Sequence, residues 1–559
     1  MNSNLIKQIF ELKKENKELK YNLKKLSLAL TYSNNRNKQL ENKLKNYQVQ
    51  EKKRIEDIVE KTVNKVVISL NKKHQEEVDK LNAKIKRLES RLNVDSTNSG
   101  TPTSKEKIGK HTIQNNREKS GKNRGASLNH KQTKLEYFKD DEITETVEHT
   151  LDKCPECGGN LIETNVVKSD IMDIKITFTK TRNNIHNYNC SNCKKKISAN
   201  TVLPRGVSYG DNINSIGLSM MNEANTPLNK ITSFFRGVTN NEVNLCEGYL
   251  IKLQKRSAHK LKNFKHELKE KIITLSNVHW DDTTIKFGTE KPAEGFDEDD
   301  IAYNEKNTKE KSTVRNGIVR FYGDDNWALF IGHRYKNELG ITKDGILENL
   351  PENCVVMHDH VLLNYNEKYS FKNAECNEHM KRYLKKNIDV FPDHKWANEM
   401  RDLLINTNKE KCILLGNNVT FFSEEKITNI FNSYDEIINT AYRENETVQL
   451  AYLNDKVDEL NLIERLKKFK ENHLMFATDF SVKFTNNTSE KGLRQTKRKL
   501  AVSFMFKNAN RMKDYADILS YLETCYRNGI SRYNASKRLV EGNPYTIVEI
   551  STLSDIAVG

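Results

Sequence analysis

The first 99 residues contain neither glycine nor proline. Those two residues are the strongest interrupters of a helix, so this stretch can run helical throughout. Apolar side chains fall at Leu5, Ile9, Leu12, Leu19, Leu23, Leu26 and Leu30, a 4-3 spacing with Asn16 as its one polar interruption. One helix cannot bury such a seam alone, so a 3.5-residue repeat predicts a coiled coil. Asn16 takes an a position, where a lone Asn fixes register and strand number at some cost in stability. The stretch from Ser33 to Asn37 is polar and weakens the pattern. A second run follows at Val78, Leu81, Ile85, Leu88 and Leu92. Residues 1–95 are therefore expected to be a coiled coil that makes the chain a homo-oligomer. The competing reading is a helix packed on its own protein.

The partner class follows from charge. The chain has 559 residues and a net charge of +16, which points to an anionic partner. No apolar run approaches the ~20 residues that cross a bilayer, and the N-terminal segment lacks the apolar stretch of a secretion signal. Nucleic acid is then the leading partner, with no membrane, and a cytoplasmic, nucleoid-associated location is expected. The nine cysteines include four in two CxxC pairs. In a chain with no secretion signal, that pattern favours metal over disulfides.

The composition divides the chain into a multidomain α/β protein. Residues 96–145 read as a basic linker, with nine Lys or Arg and two Glu between Thr101 and Leu135. Residues 146–198 carry Cys154, Cys157, Cys190 and Cys193. Two CxxC turns can present four thiolates to one tetrahedral ion, which predicts a structural Zn²⁺. The intervening "DIMDIKITFTK" reads as a β-hairpin insertion. Residues 199–275 carry apolar residues at helical spacing, leaving a helix-turn-helix for DNA and a plain helical spacer both open. From about 276 the pattern becomes β-branched and aromatic, in "NVHWDD", "TIKFG", "TVRNGIVRFYG", "WALFIGHRY" and "CVVMHD". Strands followed by helices suit an α/β core over 276–383 and 481–528, with a helical insertion at 384–480 and a tail at 529–559.

Three carboxylates stand out within that core. Asp281 is expected to end the strand "NVHW", Asp359 ends "CVVMH", and Glu490 opens the basic helix "EKGLRQTKRK". A single Asp at a strand end is usually a cap. Two strand-borne Asp and one helix-borne Glu together suit a ribonuclease-H-like core holding two divalent ions for phosphodiester chemistry. Hard oxygen ligands point to Mg²⁺ or Mn²⁺. From Lys491 to Lys513 there are eight Lys or Arg and no acid, which makes Arg494, Lys497, Arg498 and Lys499 candidate phosphate contacts.

These segments resemble the insertion-sequence sixty-six family of bacterial transposases. The resemblance is carried by "HWDDT", "MHDHVLLNY", "ECNEHMKRYLK" and "FTNNTSEKGLRQTKRKL". It implies a DDE transposase whose catalytic triad falls on Asp281, Asp359 and Glu490. Where the family usually reads Asp-Glu-Thr, this chain has Asp282 in place of the Glu. The family's Cys-x-x-His motif falls on Cys376 and His379, with Arg382 after it. His379 and Arg382 are taken as phosphate contacts, His379 alternatively as a group behind the metal ligands, and Asn487 joins the expected DNA contacts. The resemblance also implies small accessory transposition proteins as partners. Two other readings compete with the active enzyme. One is a catalytically inactive, transposase-derived DNA-binding protein. The other is a zinc scaffold on the coiled coil, which the basic balance disfavours.

Overall fold

In the computed structural model the described residues are 2–44, 62–78, 81, 85, 136–199, 206–288, 314–334, 336–448 and 453–558. Leu88 and Leu92 of the second heptad run and most of the basic linker lie outside them. Helix α1 (Asn2–Leu44) is continuous, so the polar stretch near Ser33 does not break it. Among the described residues no helix is long and apolar enough to cross a membrane.

The chain forms two compact units, one of Met1–Thr112, Tyr209–Ile231 and Glu247–Gly559, the other of Ile113–Ser208 and Thr232–Cys246. The smaller unit holds a short antiparallel pair, β1 (Asn187–Asn189) and β2 (Lys196–Ser198). The expected hairpin in "DIMDIKITFTK" is not there: residues 161–186 have no regular structure. Their apolar side chains lack a core to pack on, and Ile162, Val167, Ile171 and Ile174 are at least 80% exposed.

The larger unit is built on a mixed sheet ordered β5-β4-β3-β6-β7. Strand β3 (Asn277–Gly288) is central. It pairs antiparallel with β4 (Val314–Gly323), which pairs antiparallel with β5 (Ala328–His333). On its other side β6 (Val355–His358) and β7 (Lys372–Glu375) run parallel to it. Asp281 was expected to end a strand but lies in the middle of one. The ladder to β4 runs unbroken from His279 to Gly288, and Thr283, Ile285 and Phe287 keep the alternation of buried residues. The β7 segment "KNAE" is too polar to read as a strand, and only its last two residues are buried.

Helices α2 (Asp211–Asn222), α3 (Leu228–Val238), α4 (Glu247–Lys260) and α5 (Lys262–Ile273) precede the sheet, and α6 (Glu338–Asp344) follows β5. Helix α6 is shorter than "GITKDGILENL" suggests, because Gly345 takes a left-handed φ of 68° and ends it. The insertion holds α7 (Asn377–Val390), α8 (Trp396–Gly416), α9 (Glu424–Glu446), α10 (Leu453–Lys468) and α11 (Lys470–Thr478). It has its own core, with Leu384, Trp396, Met400, Tyr434, Leu466 and Phe476 buried together. Its two ends are stitched side by side: the Asn377 N–H donates to the Phe484 carbonyl at 3.1 Å, and the Asn377 amide donates to the His473 carbonyl at 3.0 Å.

The chain closes with α12 (Asn487–Ser503), α13 (Ala509–Arg527), α14 (Arg532–Glu541) and α15 (Ile547–Val558). The region expected as a tail is thus helical, with Ala535, Leu539 and Ile550 fully buried. Helices α4 and α5 pack on α13, and α2 packs on α14, so much of the expected helical domain leans on the C-terminal helices. Helix α12 lies on the face of the sheet that carries Ile285, Phe287 and Phe321, and Leu493 is buried among them. The approach is close at Gly492, where a Cβ would stand 2.9 Å from the Phe321 ring.

Candidate active site

Side chains on a strand alternate faces, so His279, Asp281, Thr283, Ile285 and Phe287 share one face of β3. That is the face α12 covers, because Ile285 and Phe287 pack on Leu493. The register then locates the second aspartate. His279 pairs with Met357 across β3 and β6, and Met357 with Ala374 across β6 and β7. Two residues onward come Asp281, Asp359 and Cys376, abreast on three neighbouring strand lines that sit ~4.8 Å apart.

Electrostatics agree with that placement. Burial raises the Asp281 carboxyl well above the usual range, and the charges of Asp359 and Asp282 add to this while Lys497 opposes it. Burial would raise Asp359 too, but the His379 ring brings it down overall, with help from His358 and Arg382. His379 Nδ1 lies 3.0 Å from Asp359 Oδ1. Burial disfavours the imidazolium, yet Asp359 and Cys376 lift its pKa to about 11. Two neighbouring carboxylates thus divide their roles, one drawn toward the neutral acid and one held as the anion. Asp282 points to the opposite face, where its Oδ1 lies 2.8 Å from Lys336 Nζ.

Glu490 enters from α12. It is half-buried in the first turn, three residues before Leu493 and seven before Lys497, hence on the helix face turned to the sheet. Among the described residues no hydrogen bond or ion pair joins Glu490 to either aspartate; the helix alone places it. Asn486 sets the start of that helix. Its Nδ2 donates to the Trp280 carbonyl at 2.9 Å, its Oδ1 lies 2.9 Å from His279 Nδ1, and its backbone N–H donates to Cys376 Sγ at 3.2 Å. One fully buried residue therefore ties β3, α12 and the start of α7 together. Asn486 has no role in the sequence reading; its neighbour Asn487, the expected DNA contact, is exposed at the start of α12.

The remaining expected contacts separate. Arg494 and Arg498 are exposed and Lys497 is half-buried. Lys499 turns away, its ammonium 3.4 Å from the Met221 carbonyl on α2, and burial lowers its pKa. His379 faces Asp359, and Arg382 lends its charge to the same carboxylate. A group with no signal in the sequence sits behind the site. Buried Glu375, at the end of β7, accepts from His360, from Tyr365 Oη at 2.6 Å and from Arg465 of α10 at 2.8 Å. The residue after Asp359 is thereby tied to the insertion.

Asp359, Cys376 and His379 are the one group among the described residues whose ligand atoms gather within 4.8 Å. The four cysteines of the CxxC pairs form two separate knuckles of the same design. In each, the first Cys accepts at its carbonyl from the residue four on, Gly158 or Lys194, at 2.8 and 3.0 Å. Both of those residues take a left-handed φ, 72° and 56°. Backbone N–H donors of Cys157 and Glu156 lower the Cys154 thiol, and those of Cys193 and Asn192 lower Cys190. Among the described residues the four sulfurs do not gather within 4.8 Å of one another. The structureless segment between the knuckles has no packed core to draw them together.

The model of the Transposase IS66 family matches residues 207–513 of the chain. No curated protein and no solved structure matches.

Proposed function

The chain belongs to the Transposase IS66 family, and on that premise we propose that it cuts the DNA ends of an insertion sequence and joins them to a target. Asp281, Asp359 and Glu490 are the proposed catalytic carboxylates. The observation that carries the reading is the register of β3 and β6, which aligns the two aspartates beneath α12. The sheet order, with three antiparallel strands followed by two parallel ones, supports a ribonuclease-H-like core.

A buried carboxyl whose proton affinity is raised by two neighbouring carboxylates, as Asp281 is by Asp359 and Asp282, fits a hard divalent cation, Mg²⁺ or Mn²⁺. Asp281, Asp359 and Glu490 would hold it. Such a cation, when bound, acidifies the attacking hydroxyl and neutralises charge on the departing oxygen. The chain's own groups supply the rest. His379 holds the Asp359 carboxylate in its anionic form, and Asn486 fixes β3 against the helix that bears Glu490. Lys497 stands beside Asp281, and Arg494 and Arg498 extend positive charge along the exposed side of α12 for phosphates. Cys154, Cys157, Cys190 and Cys193 would hold a structural Zn²⁺, and the lowered thiols of Cys154 and Cys190 are those a metal takes most readily.

The test is cleavage of a duplex carrying the inverted repeats that flank the gene. Mg²⁺-dependent nicking and strand transfer are expected, and Asp281→Asn, Asp359→Asn and Glu490→Gln should each remove cleavage while leaving duplex binding. Cleavage that survives any of these three would reject that residue's role. A wild-type chain that binds the repeats but cuts under no divalent cation would establish the inactive DNA-binding reading.

A further inference from the structure

The far end of α12 carries a feature that the cleavage chemistry does not use. The helix stops at Ser503, and Phe504 takes φ 57° and ψ −38°. That left-handed region is costly for any residue with a Cβ, and glycine or asparagine normally fills it. Here a phenylalanine fills it and gains no burial, for its side chain is 80% exposed. Val502 and Met505 beside it are 44% and 43% exposed.

The turn is nonetheless rigidly mounted. Phe506 N–H donates to the Lys286 carbonyl and Gly288 N–H donates to the Phe506 carbonyl, both at 2.9 Å. A Cβ on Gly288 would come within 2.6 Å of the Lys507 carbonyl oxygen, so only glycine lets the strand close onto this turn. Phe506 itself is buried against Tyr515. A strained, exposed aromatic on a braced support is what a surface keeps for a ligand, because the fold gains nothing from it.

The charge beside it names the ligand. Glu490, Arg494, Lys497, Arg498 and Ala501 follow one side of α12 at steps of three and four, and Phe504, whose N–H still donates to the Leu500 carbonyl at 2.7 Å, comes next at the helix end. The line runs from a carboxylate site through cations to an apolar tip. Fourteen residues at ~1.5 Å each put Phe504 ~21 Å from Glu490, about six base pairs of duplex.

We propose that Phe504, with Met505 beside it, is a wedge that enters a base step of duplex DNA lying along α12, about six base pairs from the phosphate held at the carboxylates. The proposal rests on the reading of that site as a DNA-cutting centre.

The test uses the full-length chain, a labelled 30-bp duplex, and the same duplex with a central two-base mismatch. A mismatched step costs less to unstack, so wild type should bind the mismatched duplex about tenfold more tightly. Phe504→Ala should lose that preference and bind the matched duplex about tenfold more weakly, with the salt slope unchanged because no cation is removed. Phe504→Gly should do the same while melting no lower than wild type, since glycine relieves the strained φ. Phe504→Trp should keep the preference and show indole quenching on either duplex. If wild type binds both duplexes equally and Phe504→Ala matches it, the wedge is overturned while DNA binding stands. A Phe504→Ala chain with unchanged DNA binding and an altered oligomeric state overturns it in favour of a protein contact. Wild type that binds neither duplex overturns both the wedge and the functional reading.

Discussion

The side chain of Asn486 reaches the Trp280 carbonyl and the His279 ring, and its backbone N–H reaches the Cys376 sulfur. Removing the amide leaves two buried groups without partners, at ~1–3 kcal/mol each. Asn486→Ala should therefore lower the melting temperature and slow single-turnover cleavage more than it weakens DNA binding. Wild-type cleavage by that variant would defeat the positioning role. His473 makes a separate claim. Burial holds it to about 4, with Glu375 opposing. Its folded value lies below the ~6.5 of an unfolded histidine. The neutral ring is then favoured by folding, and the stability it contributes is full above that value and lost as pH falls toward 4. Integrated over the interval, the loss reaches ~3 kcal/mol. Urea titrations at pH 7 and 4.5 should show a larger drop for wild type than for His473→Gln; equal drops would assign the effect to other groups.

At the scale of elements, the contact of α12 with the sheet depends on Gly492. Gly492→Ala drives a methyl into the Phe321 ring, and overpacking of this kind costs ~1–3 kcal/mol. The helix should lift, so cleavage should fall further than the melting temperature alone accounts for; proportionate losses would argue against a lifted helix. The knuckle unit has no apolar core, with Ile162, Ile171 and Ile174 exposed. Chelation should therefore raise hydrogen exchange over residues 136–199 and leave the sheet protected, and exchange that is unchanged there would reject the zinc site. What the sequence disclosed at this scale was what alternation and charge encode: β3 to β6, the paired aspartates and the basic stripe of α12. Polar β7, the break at Phe504 and the tie through Asn486 were hidden, because each is decided by contacts between distant residues. The Asn486 bond to Trp280 spans 206 positions, and no local pattern reports such a contact.

For the whole molecule, α1 is 43 residues of unbroken helix with Leu23 and Leu26 43% and 47% exposed. We expect those leucines to be covered by a second copy of the chain. Deleting residues 2–95 should reduce the oligomer in sedimentation equilibrium and leave the melting of the sheet-bearing unit unchanged; an unaltered mass would locate the subunit contact elsewhere. The insertion carries another consequence. Its chain departs at Asn377 and returns at Phe484, where those two residues share a hydrogen bond. To the sheet, more than a hundred residues are topologically equivalent to a tight turn. A lineage that keeps this root and the Arg465–Glu375 pair can lengthen, trim or exchange the outer helices without moving β7, much as an instrument accepts different attachments at one fitting. The carboxylates on the sheet and those outer helices can then evolve on separate clocks.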